Sequence, residues 1–275
     1  MSYSKYGQVF RAIRHKNGLP LSALSKIGID GSNIARFERG ESMLAIDKLA
    51  VCLQEMNVSL AEYELLINHF IPDYETEFFF DLENYDFSRN IKGLESLYLE
   101  AESEGKCRFA LAAKACFVTL SKKDCDFLLA YFENLDYWTF PDLKLAYFCI
   151  FHFKSGDISR LIKASQGRNY SLGYHFCHLR SHVQLISRAM ILFASRGKQK
   201  KAQQMADRLH KFEIKRDFFA INLIAIAEAV YCLQFEDKKK GMEELEKCLD
   251  KFSSCDAGEL ASYYRFHFQL MGILP

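Results

Sequence analysis

Proline is scarce in this chain, at four in 275 residues, and only 14 glycines accompany it. So few breakers favour long helices with short connections and leave little room for a Pro/Gly-rich linker. No run of about 18 uncharged apolar residues occurs, so no membrane span is expected. The opening MSYSKYGQVFRAIR mixes charge with apolar residues and lacks the core of a signal peptide. None of the nine cysteines forms a CxxC pair, and their number is odd. Most sit in apolar helical runs: Cys107 and Cys116 in KCRFALAAKACF, Cys149 in AYFCIF, Cys232 in AVYCLQ. That pattern predicts reduced, buried thiols and a cytoplasmic protein. Paired carboxylates, a nucleophile–base pair and a phosphate-binding loop are all missing, so neither an enzyme nor a cofactor is expected. A net charge of +1 denies the whole chain a nucleic-acid signature.

Charge is nevertheless unevenly placed. Residues 1–40 hold Lys5, Arg11, Arg14, Lys16, Lys26, Arg36 and Arg39 against Asp30 and Glu38. The first 70 residues read as five short helices. Val9, Phe10 and Ile13 stripe the first, which stops at Asn17-Gly18. Leu21, Leu24 and Ile27 line the second, broken at Gly28. Asp30 is positioned to cap a third that runs to Arg39-Gly40. A fourth spans about Ile46 to Met56, and Ser59 caps a fifth through Tyr63, Leu66 and Ile67. The expected organisation is therefore a domain at 1–70, a linker at 71–75 and a second domain at 76–275.

From about residue 74 the apolar spacing predicts roughly ten to eleven helical segments. They fall at 90–104, 106–120, 123–134, 141–154, 157–166, 172–195, 198–212, 217–235, 239–252 and 257–271. Phe78-Phe79-Phe80 is expected in the core at the start of this region. Helix starts recur about 30 to 45 residues apart, which suggests stacked hairpins of tetratricopeptide type, without that repeat's consensus pattern. The fold class is all-α. A hairpin solenoid has a concave face suited to an extended peptide. Arg108, Lys144, Tyr147, Arg180 and Asn222 are candidate groove residues, because amides bond a peptide backbone and cations hold a carboxylate.

Two further features have plainer readings. His175, His178 and His182, with Cys177, lie on one helix, and their spacings of three and four place the histidines on one face that could hold a transition metal. No partner Cys/His motif accompanies them, so a polar helix edge is expected and no metal. The basic stretches Arg196–Lys201 and Lys238–Lys240 read as solvated helix ends. The last helix, Leu260 to Met271, carries Tyr263, Tyr264, Phe266 and Phe268 around much of its circumference, which calls for a core or a partner subunit to cover it.

Residues 18–40, GLPLSALSKIGIDGSNIARFERG, place a helix, a tight turn and a second helix in series, with Leu24, Ile29, Ile34 and Phe37 where the two must press together. This spacing resembles the lambda-repressor-like, or XRE, class of helix-turn-helix domains, over residues 5–67. The resemblance implies that the second helix enters the major groove of double-stranded DNA. It assigns base or phosphate contact to Ser32 and Asn33, guanine contact to Arg36, and phosphate contact to Arg39 and Lys26. It also implies an ion pair between Arg14 and Glu38. Two positions depart from the class: Gly31 offers no side chain where a base reader is usual, and Leu21 replaces a polar phosphate contact.

KYGQVFRAIRHKNG, FERGESMLAIDKL and NVSLAEYELLI, joined to a helical repeat region of this length, resemble the Rgg/GadR/MutR family of transcription regulators, related to the PlcR-type peptide sensors. The resemblance implies a homodimer whose repeat domain binds a short imported peptide. Two alternatives stay open: a regulator of the same fold with no small ligand, and a repeat scaffold that has lost DNA binding.

Overall fold

The computed structural model describes residues 4–26, 28–165 and 176–275. All regular elements among them are helical, and the chain divides into two compact units, Met1–Tyr74 and Glu75–Pro275.

The first unit contains α1 (Ser4–Lys16), α2 (Leu21–Ser25), α3 (Gly31–Glu38), α4 (Ile46–Glu55) and α5 (Leu60–Ile67). Local chemistry sets these limits. Gly18 ends α1 in the left-handed region, at φ 63°. Asp30 caps α3 by accepting from the Ser32 amide at 2.9 Å. Ser59 and Glu62 cap α5 reciprocally. The cap position of α2 is Pro20, which offers no side-chain bond. Phe10, Leu24, Ile29, Ile34, Phe37, Leu53 and Tyr63 form the core, with Phe10 and Phe37 edge to face at 5.5 Å. Gly7 lets α1 cross α3 closely, since a Cβ there would lie 1.8 Å from the Phe37 carbonyl oxygen. The Tyr63 hydroxyl ties α5 to α1 by donating to the Tyr6 carbonyl at 2.7 Å. Ile27 lies outside the described residues.

The second unit runs α6 (Tyr74–Phe87), α7 (Ile91–Ser103), α8 (Cys107–Ala115), α9 (Lys122–Glu133), α10 (Phe140–Cys149), α11 (Ser155–Ser165), α12 (Phe176–Ser195), α13 (Gln199–Leu209), α14 (Phe218–Phe235), α15 (Lys238–Ser254) and α16 (Gly258–Leu270). Helix α10 continues as a 3-10 turn, Ile150–His152. Caps again mark the starts, among them Asn90 to the Gly93 amide, a Ser121–Asp124 capping box, and Asp217 to the Ala220 amide. Helices α8, α10, α12 and α14 pack in succession, α13 against α12 and α14, and α15 between α14 and α16. This is the helical-repeat architecture that the spacing predicts.

Several expectations are corrected. The expected linker is already helical at residue 74. Phe78 and Phe79 are buried, but Phe80 faces solvent at 65% exposure, because three consecutive residues on a helix cannot share one face. Helix α8 stops at Ala115, short of residue 120. All nine cysteines are free, yet Cys149 is buried while Cys116 and Cys232 are half-buried and Cys107 is exposed. Helix α14 is long and apolar enough to cross a membrane by composition, interrupted by Glu228. Its buried Leu223, Ile226, Ala227 and Val230 belong to a helix packed between α12 and α15, the environment of a core helix.

The aromatic girdle of α16 is covered largely by its own chain. Tyr264 stacks on Phe252 of α15 at 5.8 Å and Tyr263 meets Phe87 of α6 at 5.0 Å. Phe268 is buried, and the Arg89 guanidinium lies 3.6 Å over Phe266. These rings do not require a partner subunit.

Candidate nucleic-acid interface and interior pocket

Helix α3 has two faces of different chemistry. Ile34 and Phe37 point into the core, whereas Ser32, Asn33 and Arg36 lie on the outer side, away from it. Lys26 at the end of α2 and Arg39 at the end of α3 are exposed too. The sequence-assigned contact residues are thus outward-facing on α3 or at the ends of α2 and α3. Ser32 is partly engaged, its hydroxyl donating to Asp30 at 2.9 Å. The amide and hydroxyl of Ser32 hold the Asp30 carboxyl below the usual carboxylate range. Sequence reasoning missed Glu41. It accepts from Arg39 Nε at 2.6 Å and Nη2 at 3.0 Å, and lies 3.8 Å from Arg36 Nε. One exposed carboxylate therefore clasps Arg39 and lies within ion-pair distance of Arg36, leaving the trio with a net positive charge.

Beneath this surface Arg14 and Glu38 form a buried, two-pronged pair: Nε to Oε1 at 2.6 Å and Nη2 to Oε2 at 2.8 Å. The remaining arm of Arg14 donates to the Leu19 carbonyl at 2.7 Å. The hydrogen bonds that Arg14 donates to Glu38 raise the Arg14 pKa above its ordinary value, against the cost of burial. The pair fixes the end of α3 to α1 and to the turn before α2. Gly40 follows at φ 74°, where a Cβ would lie 2.8 Å from Ser4 Cα, so the glycine of the Glu-Arg-Gly ending is required twice over.

Within the second unit α6 sends two acids inward. Glu83 accepts from Lys144 Nζ at 2.5 Å and Gln184 Nε2 at 3.0 Å, and Lys144 also donates to Gln184 Oε1 at 2.9 Å. Burial lowers the Lys144 pKa, opposed by the charge of Glu83. Asp86 accepts from the Tyr263 hydroxyl at 2.8 Å, and burial raises its pKa. That hydroxyl in turn accepts from Arg188 Nη2 at 2.6 Å. Arg188 also donates to the carbonyl and the hydroxyl of Tyr147, at 2.9 and 2.6 Å, and lies 3.5 Å over that ring. A cavity lies beside it, lined in part by Ser187, Leu223, Tyr264 and Phe268.

Of the five groove candidates, only Tyr147 lines this cavity, and it is buried. Lys144 belongs to the buried Glu83 pair. Arg180 makes a two-pronged pair with Asp217 at 2.9 and 3.0 Å, joining α12 to the start of α14. Asn222 is buried and donates to the Cys248 carbonyl at 2.9 Å. Arg108 is exposed elsewhere, 4.1 Å over Tyr131. The structure thus disperses the five, and Arg188, Ser187 and Gln184 join three tyrosines and His267 as polar residues at the pocket. Their signal was present in HVQLISRAMILF, where Gln184 and Arg188 stand four apart inside an apolar run.

His175 lies outside the described residues. His178 and His182 bond carbonyl oxygens, of Trp138 at 3.2 Å and of Ser165 and His178 at 3.1 Å each. Among the described residues no cluster of three or more His, Cys, Asp or Glu side chains could hold a metal. Arg196 is bound to the carbonyls of Phe151 and Phe153 at 3.1 and 2.8 Å, so that basic stretch is partly structural.

Fold and sites define a helix-turn-helix protein with a helical-repeat domain. The family model for the C-terminal domain of the HTH-type transcriptional regulator Rgg matches residues 95–265, and the chain belongs to the Rgg family of transcriptional regulators. Solved structures agree on the fold. The SHP pheromone receptor Rgg2 of Streptococcus dysgalactiae aligns at TM-score 0.75 and 17% identity, over 96% of this chain and 98% of that one. A transcriptional regulator from Listeria monocytogenes EGD-e aligns at 0.77 and 14%, over 98% and 97%. The PrgX/cCF10 complex aligns at 0.66 and 11%, over 95% and 98%.

Proposed function

We propose that the protein is a dimeric, cytoplasmic regulator that binds double-stranded DNA through α3 and responds to a short peptide bound in its repeat domain. The observation that carries the DNA part is the split of α3 into a buried face and an outer one bearing Ser32, Asn33 and Arg36, flanked by Lys26 and Arg39. Membership of the Rgg family supports the regulatory part. The peptide part takes support from two structural relatives, one a pheromone receptor and the other solved with cCF10. Dimerisation follows from recognition geometry, since one such helix reads only a few base pairs and a pair reads half-sites about 34 Å apart.

Selection of duplexes from a random pool by the full chain tests the reading. An inverted repeat with about one helical turn between half-site centres is expected. Failure to enrich any motif, at low salt and with Arg36 intact, would sink the DNA assignment. A second reading, in which the five-helix unit docks on another protein, draws on Glu41, whose carboxylate already occupies both arginines.

A further inference from the structure

Arg188 is a cation sealed inside the second unit with no carboxylate in ion-pair contact among the described residues. The nearest acid along its hydrogen bonds, Asp86, is reached only through the Tyr263 hydroxyl. Of the five N–H donors a guanidinium carries, three are used, on the Tyr147 carbonyl and the two tyrosine hydroxyls. The Nε–H and one Nη1–H are left without an acceptor among the described residues. Burying a charge in this state is costly unless something further compensates it.

The adjoining cavity has the matching character. Ser187 lines it, is 3% exposed, and its hydroxyl has no hydrogen-bond partner among the described residues. Apolar and aromatic side chains make up most of the wall, and the half-buried Phe151, His267 and Met271 form its outer part. The space open to a water-sized atom is about 20 Å³, and roughly 10–15 Å³ holds one water. There is room for a single oxygen, with unused donors on a cation and a hydroxyl around it. A bulky anion does not fit whole.

We infer that this pocket is a carboxylate site, in which one oxygen of a ligand carboxylate passes Phe151, His267 and Met271 and accepts from Arg188 and Ser187. A ligand carboxylate takes up the donors that Arg188 leaves unused, and charge-assisted bonds of this kind are the strong ones. The inference rests on the ligand-responsive reading above and names the group that the ligand presents. A chain terminus, an acidic side chain and a free monocarboxylate share this chemistry.

Thermal unfolding of the full chain, at constant ionic strength and without DNA or peptide, tests the site. The probes are sodium acetate, N-acetylglycine, acetamide and sodium chloride. The carboxylates should raise the melting temperature saturably, as a ligand of the folded state does, while acetamide and chloride should not. Stronger action by N-acetylglycine marks a chain terminus, and stronger action by acetate marks a side chain or free acid. Ser187→Ala should weaken carboxylate binding several-fold, and Ser187→Val, which fills the cavity and leaves Arg188 in place, at least tenfold.

Equal effects of acetate and chloride, no effect of either carboxylate, or unchanged binding in both variants would overturn the proposal. A protein that selects a DNA motif but binds no carboxylate loses only this site. One that binds acetate yet selects no duplex and ignores every peptide loses the regulatory reading instead.

Discussion

Glu41 clasps Arg39 with both carboxylate oxygens, at 2.6 and 3.0 Å, on the surface where α3 ends. All of these groups are exposed, so solvent screens the clasp and it is cheap to open. A phosphate can displace it, but Glu41 must then sit near a second negative charge. Glu41→Gln should therefore tighten binding to any duplex by up to about fivefold, and the gain should shrink as salt is added. Fluorescence anisotropy at two salt concentrations checks this. A loss of affinity would mean that Glu41 positions the arginines rather than masking them.

Arg36 and Arg39 should separate by the kind of loss. Arg36→Ala is expected to cost about 1–3 kcal/mol at one base position of each half-site and little elsewhere. Arg39→Ala should weaken all sequences alike and reduce the salt slope by about one. Uniform loss for Arg36→Ala across a panel of single-base variants would remove its role as a reader.

Breaking the Arg14–Glu38 pair from one side strands a buried charge. Glu38→Leu should destabilise the first unit by about 3–5 kcal/mol, and adding Arg14→Met should restore most of the loss. Hydrogen exchange of the α1 amides in the full chain reports this unit directly. An unprotected α1 in the double variant would show that the pair is needed for more than charge balance.

Much of this architecture is legible in the sequence because its causes are local. Asp30, Ser59, Asn90, Ser121 and Asp217 announce helix starts by side-chain bonds to amides within three residues. Leu24, Ile34 and Phe37 repeat at helical spacing and are buried. Helix α6 was harder to bound, since YETEFFFDLENYDF sets apolar residues on more than one face. The pocket was harder still. Arg188 meets Tyr263, 75 residues away, and Lys144 meets Glu83, 61 residues away. A search for cations among aromatics on the leading helix of each hairpin picks Arg180 and Arg108, whose partners Asp217 and Tyr131 are also distant in sequence and equally invisible from it. Glu41 escaped notice because an acid beside a basic run reads as incidental.

His267 carries a pH dependence of predictable sign. Burial, with Arg188 and Arg89 nearby, pushes its pKa down to about 3, from about 6.5 in an unfolded chain. The unfolded state therefore binds the extra proton first. Stability from this group is full above about pH 6.5 and falls on acidification through that value, by up to about 1.4 kcal/mol per pH unit, until the folded-state pKa is reached. Burial depresses His182 in the same direction. His267→Phe, which preserves the stack on Phe151, should flatten the change in urea midpoint between pH 7 and pH 5. An equally steep profile in the variant would assign the effect elsewhere.

Sedimentation of the full chain should give a species of about 64 kDa, twice the 31.9 kDa chain. With the α16 aromatics turned inward, Ala substitution of exposed Leu270 should leave that mass unchanged. A monomer at micromolar concentration would refute the paired reading of two half-sites.

Open helical solenoids unravel from their ends, because each repeat touches only its neighbours. Here the Tyr263 hydroxyl on the last helix bonds Asp86 on α6, 177 residues earlier, and Arg188 joins the same chain of bonds from the middle. The array is thereby laced shut. Its melting should therefore be a single cooperative event rather than progressive fraying, and removing α16 should unlace the stack from α6 onward instead of shortening it. Closing the unit then requires α6 and α16 to meet across 177 residues, a long-range contact of the kind that slows folding.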